Sequence, residues 1–305
     1  MAISDYHIKI GNATDVGKVR EQNEDYMAHF VTPVGYCIIV CDGMGGHAAG
    51  QVASQNSIVS IQRFLCDSAH DNSSIPIILK NAIEFANYQL REMVGKNPEL
   101  KGMGTTCVLA LIKNGQLYTA HAGDSRIYLI RGKSIKQITK DHSSVQKLID
   151  LGVLTEQEAE LSDKKNEIVK AIGIFEKAEP TITQSPLALH KNDKLLLCSD
   201  GLTGHVTKEK INAAVQSNND IQNAAIKLIA LANDDGGTDN ITVQLVHYTG
   251  KSAGGTKKSV FKKIVVLFIL LGAVGYLSFW LYKKYYRQNT KPVKSIQYKS
   301  TSQKK

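Results

Sequence analysis

Four aspartates, Asp42, Asp124, Asp200 and Asp239, lie far apart in the chain but share one kind of setting. Each stands at the end of an apolar, β-branched run and beside Gly, Ser or Asn. The stretches are Ile38-Ile39-Val40-Cys41-Asp42-Gly43, His121-Ala122-Gly123-Asp124-Ser125, Leu195-Leu196-Leu197-Cys198-Ser199-Asp200-Gly201 and Gly237-Thr238-Asp239-Asn240, the last opening the run 241–246. An apolar strand buried on both sides can hold one carboxylate rigidly at its end, and a glycine without Cβ lets backbone and ions come close. One Asp-Gly after a strand ordinarily marks a turn or a helix cap. Four such carboxylates point to one shared site, and hard oxygen donors without a ligating His or Cys suit Mg²⁺ or Mn²⁺ rather than Zn²⁺.

The residues ahead of the first of these runs belong to the same chemistry. Gly17 to Asp25 is a polar loop with Arg20 placed just before Asn23-Glu24-Asp25. Beside a cationic centre, Glu24 and Asp25 would orient its water shell and Arg20 could fork onto a phosphate; the plainer reading is that both acids are solvated loop charges.

The elements that must position these groups follow from periodicity. Residues 7–13 alternate as an edge strand, 26–30 read as a second strand, and 36–41 as a fully buried one. Residues 50–64 and 75–93 read as helices with apolar positions three and four apart. Residues 103–112 and 116–120 form a hairpin around Asn114-Gly115, and 127–131 and 134–139 form another through Gly132. Residues 141–177 are a flap-like insertion of short helical pieces, 144–151 and 156–161. Strands at 181–185 and 194–198, an amphipathic helix at 220–232 and the strand after Asp239 complete a domain over residues 1–250.

The chain has 305 residues and a net charge of +9, but that average hides a division. From Lys251 onward there are thirteen basic and no acidic residues, which leaves the first 250 residues at −4. The basic balance therefore belongs to the tail and argues for a membrane surface rather than nucleic acid. Residues 264–282 carry no charge, span roughly 28 Å as a helix at about 1.5 Å per residue, and are flanked by lysines, with Trp280, Tyr282, Tyr285 and Tyr286 crowded at one end. They read as a single transmembrane helix, with 251–263 a basic flexible linker and 283–305 a basic tail. With no export signal at the start, the domain is expected in the cytoplasm at the plasma membrane. Five cysteines without Cys-x-x-Cys spacing fit a reduced compartment and buried thiols.

The chain resembles the metal-dependent serine/threonine protein phosphatases of the PPM, or type 2C, family, in its bacterial branch. The resemblance covers nearly all of residues 5–248 and runs in order through Arg20-Glu21-Gln22-Asn23-Glu24-Asp25, Asp42-Gly43-Met44-Gly45-Gly46-His47, Gly104-Thr105-Thr106, Gly123-Asp124-Ser125-Arg126, Asp141-His142-Ser143, 166–173, Ser199-Asp200-Gly201-Leu202 and Asp239-Asn240. An ordered set of this length is far more specific than any one motif. It implies an α+β fold, a four-layer α-β-β-α sandwich of two antiparallel sheets flanked by helices, with two Mn²⁺ or Mg²⁺ ions in a cleft. By that resemblance Asp42 bridges the ions, Asp200 and Asp239 complete one, the Gly43 carbonyl joins the other, and Glu24 and Asp25 act through water. Asp124 with Asp200 would hold a third ion, and Arg20 would bind the phosphate. Met44 replaces the His of eukaryotic members, which leaves His47 or a water as the acid for the leaving oxygen; His47 reads equally well as a structural residue at the helix start.

The implied function is a membrane-anchored phosphatase that hydrolyses phosphoserine and phosphothreonine by in-line attack of a metal-activated water. Its partners would be phosphorylated proteins, a Ser/Thr kinase and that kinase's substrates. Phosphate monoester hydrolysis can require acceleration of up to about 10²¹-fold, roughly 28 kcal/mol. One positioned acid or base supplies only about 10²- to 10⁴-fold, so the cations must carry most of it. The alternative is a catalytically silent phosphoprotein-binding module of the same fold. Four strand-end aspartates weigh against it, because burying unpaired acids around a cleft is costly without a chemical use for them.

Overall fold

The computed structural model describes residues 6–46, 48–67, 73–251, 271–272 and 274–285. The chain divides into two compact units, Met1–Ala253 and Gly254–Lys305.

The first unit is built from strands β1 (Ile8–Asp15), β2 (Tyr26–Thr32), β3 (Gly35–Cys41), β4 (Gly43–Met44), β5 (Gly104–Thr105), β6 (Cys107–Lys113), β7 (Gln116–Ala122), β8 (Arg126–Arg131), β9 (Ser134–Gln137), β10 (Thr181–Ile182), β11 (Leu187–Ala188), β12 (Lys194–Cys198) and β13 (Ile241–Tyr248). Its helices are α1 (Ala48–Cys66), α2 (Ile75–Lys96), α3 (Ser144–Asp150), α4 (Glu156–Glu160), α5 (Asp200–Thr203), α6 (Lys208–Ser217) and α7 (Ile221–Asp234). One sheet runs β1-β13-β12-β8-β9, the other β10-β7-β6-β3-β2, with β11 also on β7, and every strand pair is antiparallel.

Three apolar layers make this the expected four-layer sandwich. Ile39, Cys41, Leu109 and Leu111 pack one face of the six-stranded sheet against Ile58, Ile61, Leu79 and Ile83 of α1 and α2. Tyr128, Leu196, Val243 and Leu245 pack the five-stranded sheet against Ile211, Val215 and Leu228 of α6 and α7. Ile38, Val40, Val108, Leu129, Leu195, Leu197 and Val246 fill the space between the sheets. Antiparallel strands usually alternate because one face is wet. Here helices cover the outer face and the second sheet covers the inner one, so β3 and β6 read as near-continuous apolar runs.

The Asn114-Gly115 hairpin has both turn residues at positive φ, 51° and 71°, the two-residue turn whose twist matches its strands. Two stretches depart from the sequence expectation. The strand expected at 181–185 stops at Ile182; Pro186 offers no N–H, and the chain rejoins β7 only at Leu187–Ala188. Helix α6 falls in a stretch that the apolar pattern passes over, since its sequence is mostly polar and buries only Ile211, Ala214 and Val215. The insertion at 141–177 carries α3 and α4, and its return is held by buried Asn87 of α2, which accepts from the Gly173 N–H and donates to the carbonyls of Phe175 and Glu176.

In the second unit, residues 271–272 and 274–285 are helical, with exposed Leu271, Tyr276, Phe279 and Trp280. Among the described residues no helix is long and apolar enough to cross a membrane. Residues 264–270 and 273 of the expected span lie outside the described residues, as do most of the linker and the residues after 285.

One buried polar side chain joins the two sheets. Gln244 of β13 donates through Nε2 to the carbonyls of Ala28 (3.1 Å) and Ile39 (2.6 Å) in the opposite sheet. Gln244→Ala should therefore lose both bonds and leave a cavity, costing about 2–4 kcal/mol. Urea unfolding checks this as a lower midpoint at unchanged slope.

Candidate functional site

The strand registers bring the acidic residues to one end of the sandwich. In the six-stranded sheet Cys41 lies opposite Tyr26, and Cys107 opposite Ala122, so Asp25, Asp42 and Gly123 project from the same edge. In the other sheet Cys198 pairs with both Val243 and Arg126, which places Asp200, Asp239 and Asp124 at its matching edge. The chain crosses between the sheets there, through Gly123-Asp124-Ser125.

Asp42 is fixed through its backbone as well as by its strand. The Asp42 N–H donates to Thr106 Oγ1 (3.0 Å), and its carbonyl accepts from the Thr106 N–H (2.8 Å) and Thr105 Oγ1 (2.7 Å). Thr106 Oγ1 is in turn bonded to Ser125 Oγ at 2.7 Å, next to Asp124. Gly43 pairs with Thr105 and donates its N–H to the Glu24 carbonyl at 3.2 Å. A Cβ on Gly43 would collide with the carbonyls of Gly50 and Glu24, so only glycine lets these segments close. Gly123 stands at φ 106°, and a side chain there would strike Thr106.

Asn240 ties the first loop to the last strand. Its Oδ1 accepts the Glu24 N–H (2.8 Å), and its Nδ2 donates to the carbonyls of Val16 (3.0 Å) and Gln22 (2.9 Å). Asp25 is not a solvated loop charge: it is 6% exposed, and its Oδ2 accepts from Ser199 Oγ at 2.7 Å. The Glu24 carboxylate lies against Gly50 at the start of α1. Arg20, the expected phosphate ligand, is half exposed and donates to Asp239 Oδ2 at 2.9 Å. His47 lies outside the described residues.

The carboxyls feel one another strongly. Burial first, and then Asp25, Asp200, Asp124 and Asp239, push the Asp42 carboxyl well above the carboxylate range. Burial raises Asp25 to about 8 against the pull of the Ser199 and Thr242 hydrogen bonds, with Asp200 and Asp239 adding to the rise. Asp124 also rises to about 8, through burial and then Asp200 and Asp141. Asp200 is raised by burial and by Asp239, and lowered by a hydrogen bond with Asp42.

Two oxygens in the cluster, Asp25 Oδ1 and Asp124 Oδ1, are buried without a hydrogen-bond partner. Among the described residues no three His, Cys, Asp or Glu side chains converge as ligands of one ion. Orphaned buried oxygens, mutual repulsion and an all-oxygen donor set together fit a site for hard divalent cations.

Sequence reasoning placed Asp42, Asp124, Asp200 and Asp239 together, and the structure brings them together. It assigned no role to the groups that hold them: Thr105, Thr106, Ser199 and Asn240, which lie in the motifs that carry the resemblance, and Thr242, which does not. Their signal was hydroxyl and amide side chains at buried positions beside a strand-end acid, where an apolar residue would otherwise be expected.

The family model for Protein phosphatase 2C matches residues 33–147. Protein phosphatase PhpP of Streptococcus pneumoniae is 39% identical over 249 residues, 81% of this chain and 100% of that protein. A serine/threonine phosphatase, stp, of Listeria monocytogenes is 35% identical over 240 residues, 76% of this chain and 93% of its own. Among solved structures, serine/threonine phosphatase Stp1 from Staphylococcus aureus superposes with a TM-score of 0.74 at 35% identity, covering 80% of this chain and 96% of that one. The catalytic domain of the serine/threonine protein phosphatase PstP, solved in complex with 2 manganese ions, superposes with a TM-score of 0.69 at 36% identity over 80% and 99%.

The raised carboxyls set the pH dependence of stability in chelator. A folded state that holds protons which the unfolded chain releases is favoured at low pH, and this stability is lost as pH rises from about 3.8 to about 8. Asp124→Asn, which removes the charge and keeps the shape, should leave the chelated protein unchanged near pH 4. At pH 9 it should raise the melting temperature by roughly 2–8 °C. Melting curves in chelator at the two pH values check both the sign and the window.

Proposed function

The chain belongs to the protein phosphatase 2C family and is a serine/threonine protein phosphatase, and we propose that it works with Mn²⁺ or Mg²⁺ held by Asp42, the Gly43 carbonyl, Asp200 and Asp239. In this reading Asp124 and Asp200 hold a third ion, and Glu24 and Asp25 act on the cations' water shell. The observation that carries it is the set of buried, mutually repelling aspartates at one end of the sandwich, two with an orphaned oxygen. The two manganese ions in the related PstP catalytic domain support the choice of cation.

Bound among these acids, Mn²⁺ or Mg²⁺ supplies Lewis acidity, lowering the pKa of a coordinated water and offsetting charge on the phosphoryl oxygens. The chain supplies position. Thr105 and Thr106 hold the Asp42 backbone through its N–H and its carbonyl, which fixes the position from which its carboxylate reaches the site. Ser199 aims Asp25 inward, and Asn240 keeps the loop of Glu24 and Arg20 against β13. Arg20 binds the phosphate of the substrate: one bond to Asp239 leaves further N–H groups of its fork for phosphoryl oxygens.

The same proposal places the enzyme at the plasma membrane, anchored by 264–282, with its catalytic domain in the cytoplasm and the products of a Ser/Thr kinase as substrates. Support comes from the uncharged run with basic flanks, and from the helical, exposed aromatic residues at its end, where Lys284 Nζ lies 5.1 Å from the centre of the Trp280 ring.

With Mn²⁺ the protein should release phosphate from a phosphothreonine peptide, chelator should stop the release, and Asp42→Asn should lower it by about 10²-fold or more. A folded, Mn²⁺-loaded protein that binds the peptide and releases nothing would favour the silent binding module instead. The full chain should sediment with membranes and resist an alkaline carbonate wash, whereas a chain ending at residue 250 should stay soluble.

A further inference from the structure

The turn that begins with Asp200 and the loop that ends with Asp239 are joined by one imidazole. We infer that His205 is a positioning residue for the cation shared by Asp200 and Asp239, an inference that rests on the metal reading above.

His205 is one short turn beyond Asp200. The Gly204 N–H donates to the Asp200 carbonyl (2.7 Å) and the His205 N–H to the Leu202 carbonyl (3.2 Å), so backbone bonds fix the turn that joins the two residues. Its side chain is 12% exposed. Across the gap the Thr238 N–H donates to His205 Nε2 at 3.2 Å, and the Thr238 hydroxyl lies 2.9 Å from the same nitrogen.

A backbone N–H can only donate, so Nε2 is the acceptor and the ring proton sits on Nδ1, which faces Asp235 Oδ2 at 3.4 Å. Gly236 lies against the ring, and the residue after Thr238 is Asp239.

The result is a carboxylate–imidazole–backbone chain, Asp235 to His205 to Thr238, that spans the two acid-bearing segments. It opposes a real force, because Asp200 and Asp239 repel one another. Neighbours of ligands that act in this way shift metal affinity by about 10- to 100-fold when removed. A loop tie with no such role would change folding stability alone.

The experiment measures Mn²⁺ binding to the full chain by calorimetry, alongside melting in chelator. His205→Ala should weaken the binding of one ion by about 10- to 100-fold while the melting temperature in chelator stays within about 2 °C. It should keep kcat within a few-fold once Mn²⁺ is saturating. His205→Gln, whose amide oxygen can accept the Thr238 N–H, should recover most of the affinity. Asp235→Asn, at a half-exposed position that threatens no fold, should weaken binding less and add nothing to His205→Ala.

Unchanged Mn²⁺ affinity in His205→Ala would overturn the inference, as would an affinity loss that only follows a matching fall in melting temperature. Failure of the unaltered chain to bind Mn²⁺ would overturn the metal reading itself, and this inference with it.

Discussion

Repulsion among carboxyl groups held out of water governs this molecule. Burial first, and then the neighbouring carboxyls, raise the proton affinity of Asp25, Asp42, Asp124 and Asp200 at one end of the sandwich. Such a cluster persists only if the surrounding fold is stiff enough to resist it and if protons or cations offset its charge. Stiffness here has a visible source. The strands that end in these acids are covered on both faces, and the backbone of Asp42 is bonded on both its N–H and its carbonyl. A frame of that stiffness leaves little reorganisation to be done when a cation binds among these acids.

The layered architecture follows from that demand. A sheet with one wet face could carry an acid at a strand end, but its edge would be solvated and the charge screened. Two sheets face to face, each backed by helices, bury the central strands and confine polarity to the ends. Polar groups still appear inside where they join parts: Gln244 across the sheets, Asn87 under the returning insertion, Asn240 between the first loop and the last strand. In each case an amide bonds backbone groups that lack a partner in their own strand or helix, or reinforces ones that have one.

Much of this was legible in the sequence because the strongest signals are local. An apolar run ending in Asp is visible in a window of seven residues, and so are the Asn114-Gly115 turn and the apolar faces of α1, α2 and α7. Helix α6 was missed because three buried side chains in a polar stretch leave almost no period to detect. The split of β10 from β11 turns on how two short segments meet β7, which is a tertiary fact. Asp25 and Glu24 are neighbours with the same charge, yet one is buried against Ser199 and the other lies over Gly50; only the closing of residue 25 on residue 199 separates them. His205 carried no signal at all, since its partners stand some thirty residues away.

The pairing of β1 with β13 has a consequence in time. The first strand of the domain finds its partner in the last, from Ile8 opposite Tyr248 to Asp15 opposite Ile241, and β13 sits between β1 and β12 rather than at an edge. At about 5–20 residues per second, synthesis leaves β1 unpaired for roughly 10–50 s. Through that interval the nascent chain has an open sheet and only part of its acidic cluster. The arrival of β13 closes the five-stranded sheet and delivers Asp239 and Asn240 together. Catalytic competence therefore waits for this one late segment, and a ribosome that stalls before residue 239 leaves a fragment with an exposed strand edge and an incomplete acidic cluster.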